Sequence, residues 1–157
     1  MRTEHAGTEV RARAAALADL LPPLPRPWNI DRLVEELAAR RGRAITVHAV
    51  QIAAFPTGLW YFDGAQDHIL IRASARGMYR DHIILHEICH MLAGHGVRSI
   101  AADVSALADH NQRPISDEEE LLAERFAAVV LRRTRRRPPP VSVFEQSAAD
   151  IFGAPGA

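Results

Sequence analysis

With one cysteine in 157 residues, Cys89, the chain cannot form an internal disulfide, and a reducing cytoplasmic setting is expected. Charge excess is missing as well. The 19 basic and 19 acidic residues cancel, so no global field favours nucleic acid or an anionic membrane surface. No apolar run approaches the roughly 18 residues of a membrane span. The opening MRTEHAGTEVRARAAALADLL has neither the uncharged apolar block nor the small-residue cleavage site of a secretory signal. What is present is ordinary globular composition, 48% apolar and 24% charged, in a length that suits one domain with tails.

The apolar pattern changes period along the chain. Residues 9–21 read as an Ala-rich amphipathic helix carrying Val10, Leu17, Leu20 and Leu21, ended by the stiff stretch PPLPRP. Asn29 is a good N-cap for a second helix with Ile30, Leu33, Val34 and Leu37 at helical spacing, and Gly42 suits the position just past its end. Residues 44–50 (AITVHAV) then alternate like a half-buried strand. GLWYF and HILIRA (68–73) follow as a hairpin around Asp63-Gly64, giving a small three-stranded, mainly antiparallel sheet. Asp81 can cap a helix running to about Ala93, where Gly94 and Gly96 end it. A few helical turns are expected within 97–114. Ser116 and Glu119 form an S-x-x-E capping box for the last strong helix, with Leu122, Phe126, Val129 and Val130 as its apolar stripe. This order implies an α+β fold. The expected organisation is an N-terminal helix and Pro-rich linker (1–27), a main domain (28–137) and a tail (138–157) with a short helical piece near 148–152.

The chemistry is concentrated in HEICHMLAGH, residues 86–95. Residues four apart on a helix share a face, so the imidazoles of His86 and His90 can reach one metal ion. Glu87 is turned about 100° from His86 and borders the ion, where a general base for an activated water belongs. The flanking Ile83, Ile84, Leu85, Ile88, Met91 and Leu92 bury most of this helix. Two histidines and a glutamate there are costly unless paired or metal-bound. His82 extends the row, but eight residues span about 12 Å of helix, too far for His82 and His90 to share an ion. It is expected at the helix start or as an orienting partner. His95 and Gly94 miss the metzincin H-E-x-x-H-x-x-G-x-x-H spacing by one residue each, so His95 is expected in a loop or orienting role. Cys89 faces away from both ligands and reads as a small buried thiol, with peroxide sensitivity as a secondary expectation.

A catalytic zinc needs a third protein ligand and an open position. D-E-E-E, Asp117 to Glu120, opens the next helix, where carboxylates also suit the helix dipole. Glu120 is favoured because Glu124 follows one turn later and can orient a ligating histidine. Glu119 and Glu124 remain alternatives. An oxyanion donor is also required, with Tyr79, His95 and His82 as candidates.

HEICHMLAGH followed by ELLAERFAAVVL resembles the ImmA/IrrE-type metallopeptidases, a zincin-like branch of the Glu-zincins. Their pattern is HE-[LI]-GH-x-L-x-GH, then E-x-E-A-[ND]-x-F-A-A about thirty residues later. The resemblance covers roughly residues 28–132, including PWNIDRLVEELAARRGRAITVHAV and GLWYF. It implies a zincin-like fold with Zn2+ held by His86, His90 and Glu120, and Glu87 as catalytic base. Ala123, Phe126 and Ala127 match the family's A-x-x-F-A. Cys89, Leu122 and Glu124 depart from the pattern without removing a ligand. The implied partner is a regulatory protein, such as a helix-turn-helix repressor, cleaved or otherwise regulated. The alternative is a non-catalytic zinc-containing module acting by protein–protein binding. RRTRRRPPP reads as a solvated helix end whose charges suit the C-terminus, so neither nucleic acid nor membrane is an expected partner.

Overall fold

The computed structural model describes residues 2–51, 58–95 and 115–136, with side chains described from residue 7 onward. The turns expected within 97–114 and the tail 138–157, with its helical piece near 148–152, lie outside the described residues. Four helices and three strands occur among the described residues, in the order α1 (Arg2–Ala18), α2 (Ile30–Arg41), β1 (Ile45–Val50), β2 (Gly58–Phe62), β3 (Asp67–Arg72), α3 (Gly77–Ala93) and α4 (Asp117–Arg135). The α+β class holds. Among the described residues, no helix is long and apolar enough to cross a membrane.

Local chemistry sets most of the helix ends. The Asn29 side chain accepts the Arg32 N–H at 3.0 Å, and Gly42 closes α2 at φ 66°, a left-handed conformation that glycine adopts without Cβ strain. Ser116 accepts the Glu119 N–H at 3.2 Å and returns its own N–H to the Glu119 carboxylate at 2.9 Å, completing the capping box of α4. Two expectations need correction. First, α3 starts at Gly77, so Asp81 is not its cap; the Asp81 carboxylate accepts the Trp28 indole N–H at 2.8 Å and ties α3 to the entrance of α2. Second, α1 spans Arg2–Ala18, starting before and stopping short of 9–21, and Leu20 is exposed. Pro22 disfavours helical backbone in the residue before it, which suits an end short of Leu21. Among the described side chains of α1, the buried positions are Val10, Ala14 and Ala18, one turn apart. Small side chains there let α1 lie close against α4.

The sheet order is β1-β3-β2. The β2–β3 hairpin is antiparallel as expected, with Trp60 opposite Ile69, but β1 pairs with β3 in parallel, Val47 opposite Ile69. The sheet is therefore mixed and not mainly antiparallel. Burial explains the placement. Ile69, Leu70 and Ile71 are all buried, so β3 takes the centre, whereas β1 exposes His48 and Ala49 and sits at an edge.

The core is one continuous cluster. Ile69, Ile71 and Trp60 of the sheet join Ile83, Ile84 and Ile88 of α3, with Leu122, Phe126 and Val130 of α4, and Val10 and Ala14 of α1. Helix α3 contacts the sheet on one side and α4 on the other. Asp67, wholly buried, anchors this frame. It accepts the Trp60 indole N–H at 3.0 Å and the Arg43 guanidinium at 2.8 Å, with Arg41 at 3.4 Å. A buried carboxylate needs such partners, and here they fix β2 against β3.

Candidate metal centre

The α3 row His82, His86, His90 and the α4 pair Glu120, Glu124 each repeat at one helical turn, so the two rows interleave. Glu124 lies between His82 and His86, with Oε2 3.0 Å from His82 Nε2 and Oε1 3.1 Å from His86 Nδ1. Glu120 lies between His86 and His90, with Oε2 3.1 Å from His86 Nε2 and Oε1 3.7 Å from His90 Nε2. The two Nε2 atoms are 3.0 Å apart. His86, His90 and Glu120 are thus brought together, and their ligand atoms lie within 4.8 Å of one another.

This donor set suits a cation. His86 Nδ1 is 3.1 Å from Glu124 Oε1 and His90 Nδ1 is 3.2 Å from His95 Nδ1, so tautomers that carry the proton on Nδ1 find a partner for it in each ring. Both Nε2 lone pairs are then directed into the same space, facing each other and a carboxylate. In those tautomers the two lone pairs, 3.0 Å apart, repel unless positive charge lies between them. Separations of 3.0, 3.1 and 3.7 Å bracket the edge of about 3.3 Å expected for tetrahedral ligands at zinc–nitrogen distances of about 2.0–2.1 Å. Burial also holds His90 neutral, pushing its pKa down to about 4 with help from His86 and His95.

Glu87 faces the sheet instead of α4. It is 6% exposed, and burial, reinforced by the Glu120 carboxylate, pushes its pKa up to about 8 against the opposing Trp60 backbone N–H. Gly58 comes closer still. A Cβ added there would stand 2.6 Å from Glu87 Oε1 and 2.7 Å from Ile83 Cγ2. Gly58→Ala is expected to cost about 1–3 kcal/mol through this overlap, read from denaturant unfolding, and to displace Glu87. An unchanged midpoint would show that the strand gives way freely.

The remaining candidates divide. His95 is buried beside His90, with Nε2 3.8 Å from Glu119 Oε1, so the capping glutamate of α4 also stands behind the histidine pair. His82 and Glu124 form the outer part of the ladder. Tyr79, 53% exposed, is about 10 Å of helix rise before His86 and is not brought to the cluster. Cys89 is fully buried among apolar side chains, and burial pushes its thiol up to about 12. A neutral, inaccessible thiol is a poor peroxide target, which removes the basis for redox sensitivity. Sequence reasoning missed Gly58, Trp60 and Asp67 as the supports of Glu87. The signals were a glycine opening an aromatic strand and an aspartate opening the next one.

The buried groups make the metal-free chain pH-sensitive. Glu87 binds its proton more tightly folded than unfolded, so its contribution to stability is full below pH 4.5 and is lost as pH rises through about 8. His90 acts in the opposite sense, contributing above pH 6.5 and losing that contribution towards about 4. From pH 6.5 to 8 the Glu87 contribution dominates. The metal-free chain is expected to lose about 2 kcal/mol over that interval, measured as a falling denaturant midpoint; a rising midpoint would contradict the burial of Glu87.

Compared with known proteins, the chain matches no family model, no curated protein and no solved structure at a significant level.

Proposed function

We propose that the chain is a zinc-dependent metallopeptidase of the zincin-like type, with His86, His90 and Glu120 as ligands and Glu87 as general base. The observation that carries this reading is the buried Glu87, adjoining a convergent His-His-Glu donor set on one side and an edge strand on the other. When bound, zinc supplies Lewis acidity that activates water and polarises a carbonyl near neutral pH. In its ionised form Glu87 would take a proton from the attacking water and pass it to the departing amide nitrogen. Glu124 holds His86 through Nδ1, leaving Nε2 free as a ligand. His95 does the same for His90. Because β2 is an edge strand among the described residues and its Trp60 N–H bonds Glu87, an extended peptide adding to β2 would lie beside the base.

A regulatory protein, such as a helix-turn-helix repressor, is proposed as substrate on the resemblance of HEICHMLAGH and ELLAERFAAVVL to ImmA/IrrE-type peptidases. One tightly bound zinc per chain is expected, together with chelator-sensitive cleavage of an extended protein substrate that zinc restores. A chain that binds no zinc would end this reading. The low exposure of Glu87 and His90, 6% and 2%, favours a second reading, a zinc-containing module that binds a regulator without cutting it. Stable complex formation with no cleavage by the zinc-loaded chain would select that alternative.

A further inference from the structure

The His-Glu ladder has more donors than one ion can use. His82 is too far along α3 to join His90 at one ion, yet its Nε2 lies 3.0 Å from Glu124 Oε2, and Glu124 Oε1 lies 3.1 Å from His86 Nδ1. These three side chains offer ligand atoms that all fall within 4.8 Å of one another, as do those of His86, His90 and Glu120. His86 belongs to both groups and presents a different nitrogen to each, Nε2 towards Glu120 and Nδ1 towards Glu124. We propose that His82, Glu124 and Nδ1 of His86 form a second site for a divalent transition-metal ion, sharing the His86 ring with the first.

The proposal rests on the zinc reading of the inner site and extends it outward. Imidazole nitrogen and carboxylate oxygen are the donors that zinc-class ions take. Occupying the second site requires the His86 Nδ1 proton to leave to solvent, after which one ring bridges two ions. Burial separates the two sites in character. The carboxylates are alike, Glu120 48% and Glu124 55% exposed, but the histidine unique to the inner site, His90, is 2% exposed whereas His82 of the outer site is 31% exposed. The outer ion therefore exchanges with free metal more readily, and its occupancy follows the available zinc.

Bound zinc measured by equilibrium dialysis over a range of free zinc tests this on the full chain. Wild type is expected to take two ions, one tight and one weaker. His82→Ala, altering a partly exposed side chain, should lose only the weaker ion, and Glu120→Gln should weaken the tighter one. A second readout is electron paramagnetic resonance of the chain loaded with two equivalents of cobalt(II). Wild type should show magnetic coupling through the shared ring, and His82→Ala should not. A second ion that survives His82→Ala, or two uncoupled cobalt ions, overturns the proposal. Saturation at one ion that depends on Glu120 overturns it while sparing the inner site. No bound zinc at all overturns both.

Discussion

Glu87→Gln is expected to keep its tightly bound zinc and lose cleavage by about 10²–10⁴-fold, the usual contribution of a positioned acid–base group. The substitution is nearly isosteric, and the glutamine oxygen can still accept the Trp60 N–H that holds the native side chain. The close seat against Gly58 also remains filled. What disappears is the basic oxygen to which the proposed mechanism assigns the proton from water. Because glutamine removes a buried ionisable group, the metal-free variant should also lose the pH dependence of stability between pH 6.5 and 8. Single-turnover cleavage, zinc content and unfolding midpoints of the same preparation separate these effects. Undiminished cleavage with full zinc would refute Glu87 as the base; loss of zinc would make it a structural or ligand residue instead.

Glu120→Gln is expected to act earlier, on metal retention. Among the described residues, Glu120 is the carboxylate placed between the Nε2 atoms of His86 and His90, at 3.1 and 3.7 Å. A neutral amide there leaves two imidazoles without their anionic partner. The loss of zinc affinity should exceed the roughly 10–100-fold expected when an orienting partner is removed, which is the class of effect expected for the inner ion in Glu124→Gln. Stability reports the same difference. Zinc present at about 1,000 times its dissociation constant stabilises the folded chain by about 4 kcal/mol, so the zinc-induced rise in wild-type Tm should largely vanish in Glu120→Gln at the same zinc concentration. Equal zinc affinity in the two variants would move the third ligand away from Glu120. The alternatives left by the sequence were Glu119, committed to the Ser116 cap, and Glu124, which meets His86 at Nδ1.

Much of this was legible because the signals were local. The i,i+4 spacing of His86 and His90, the Asn29 and Ser116 caps and the left-handed Gly42 and Gly94 need only neighbours within about a turn. Glu120 and Glu124 could be paired because both rows share the helical repeat. The misread elements lacked such closure. Asp81 has the side chain of a cap, but its carboxylate is drawn to Trp28, 53 residues away. β1 has the alternation of a strand, but alternation does not name its neighbour or direction. Its parallel place beside β3 follows from which strand buries both faces.

By itself the sequence determined the elements, the histidine pair, the adjacent glutamate and the acidic helix that could complete the donor set. Only the tertiary structure decided which donors meet. It packed α3 against α4 so that two one-turn repeats interleave, setting His82 against Glu124 and giving His86 a carboxylate at each nitrogen. It also laid Gly58 and Trp60 over Glu87, a contact across 29 and 27 positions that no local pattern encodes. The physical reason is range: helical spacing and capping act through adjacent turns, whereas burial and desolvation depend on surfaces that meet only after the chain has folded.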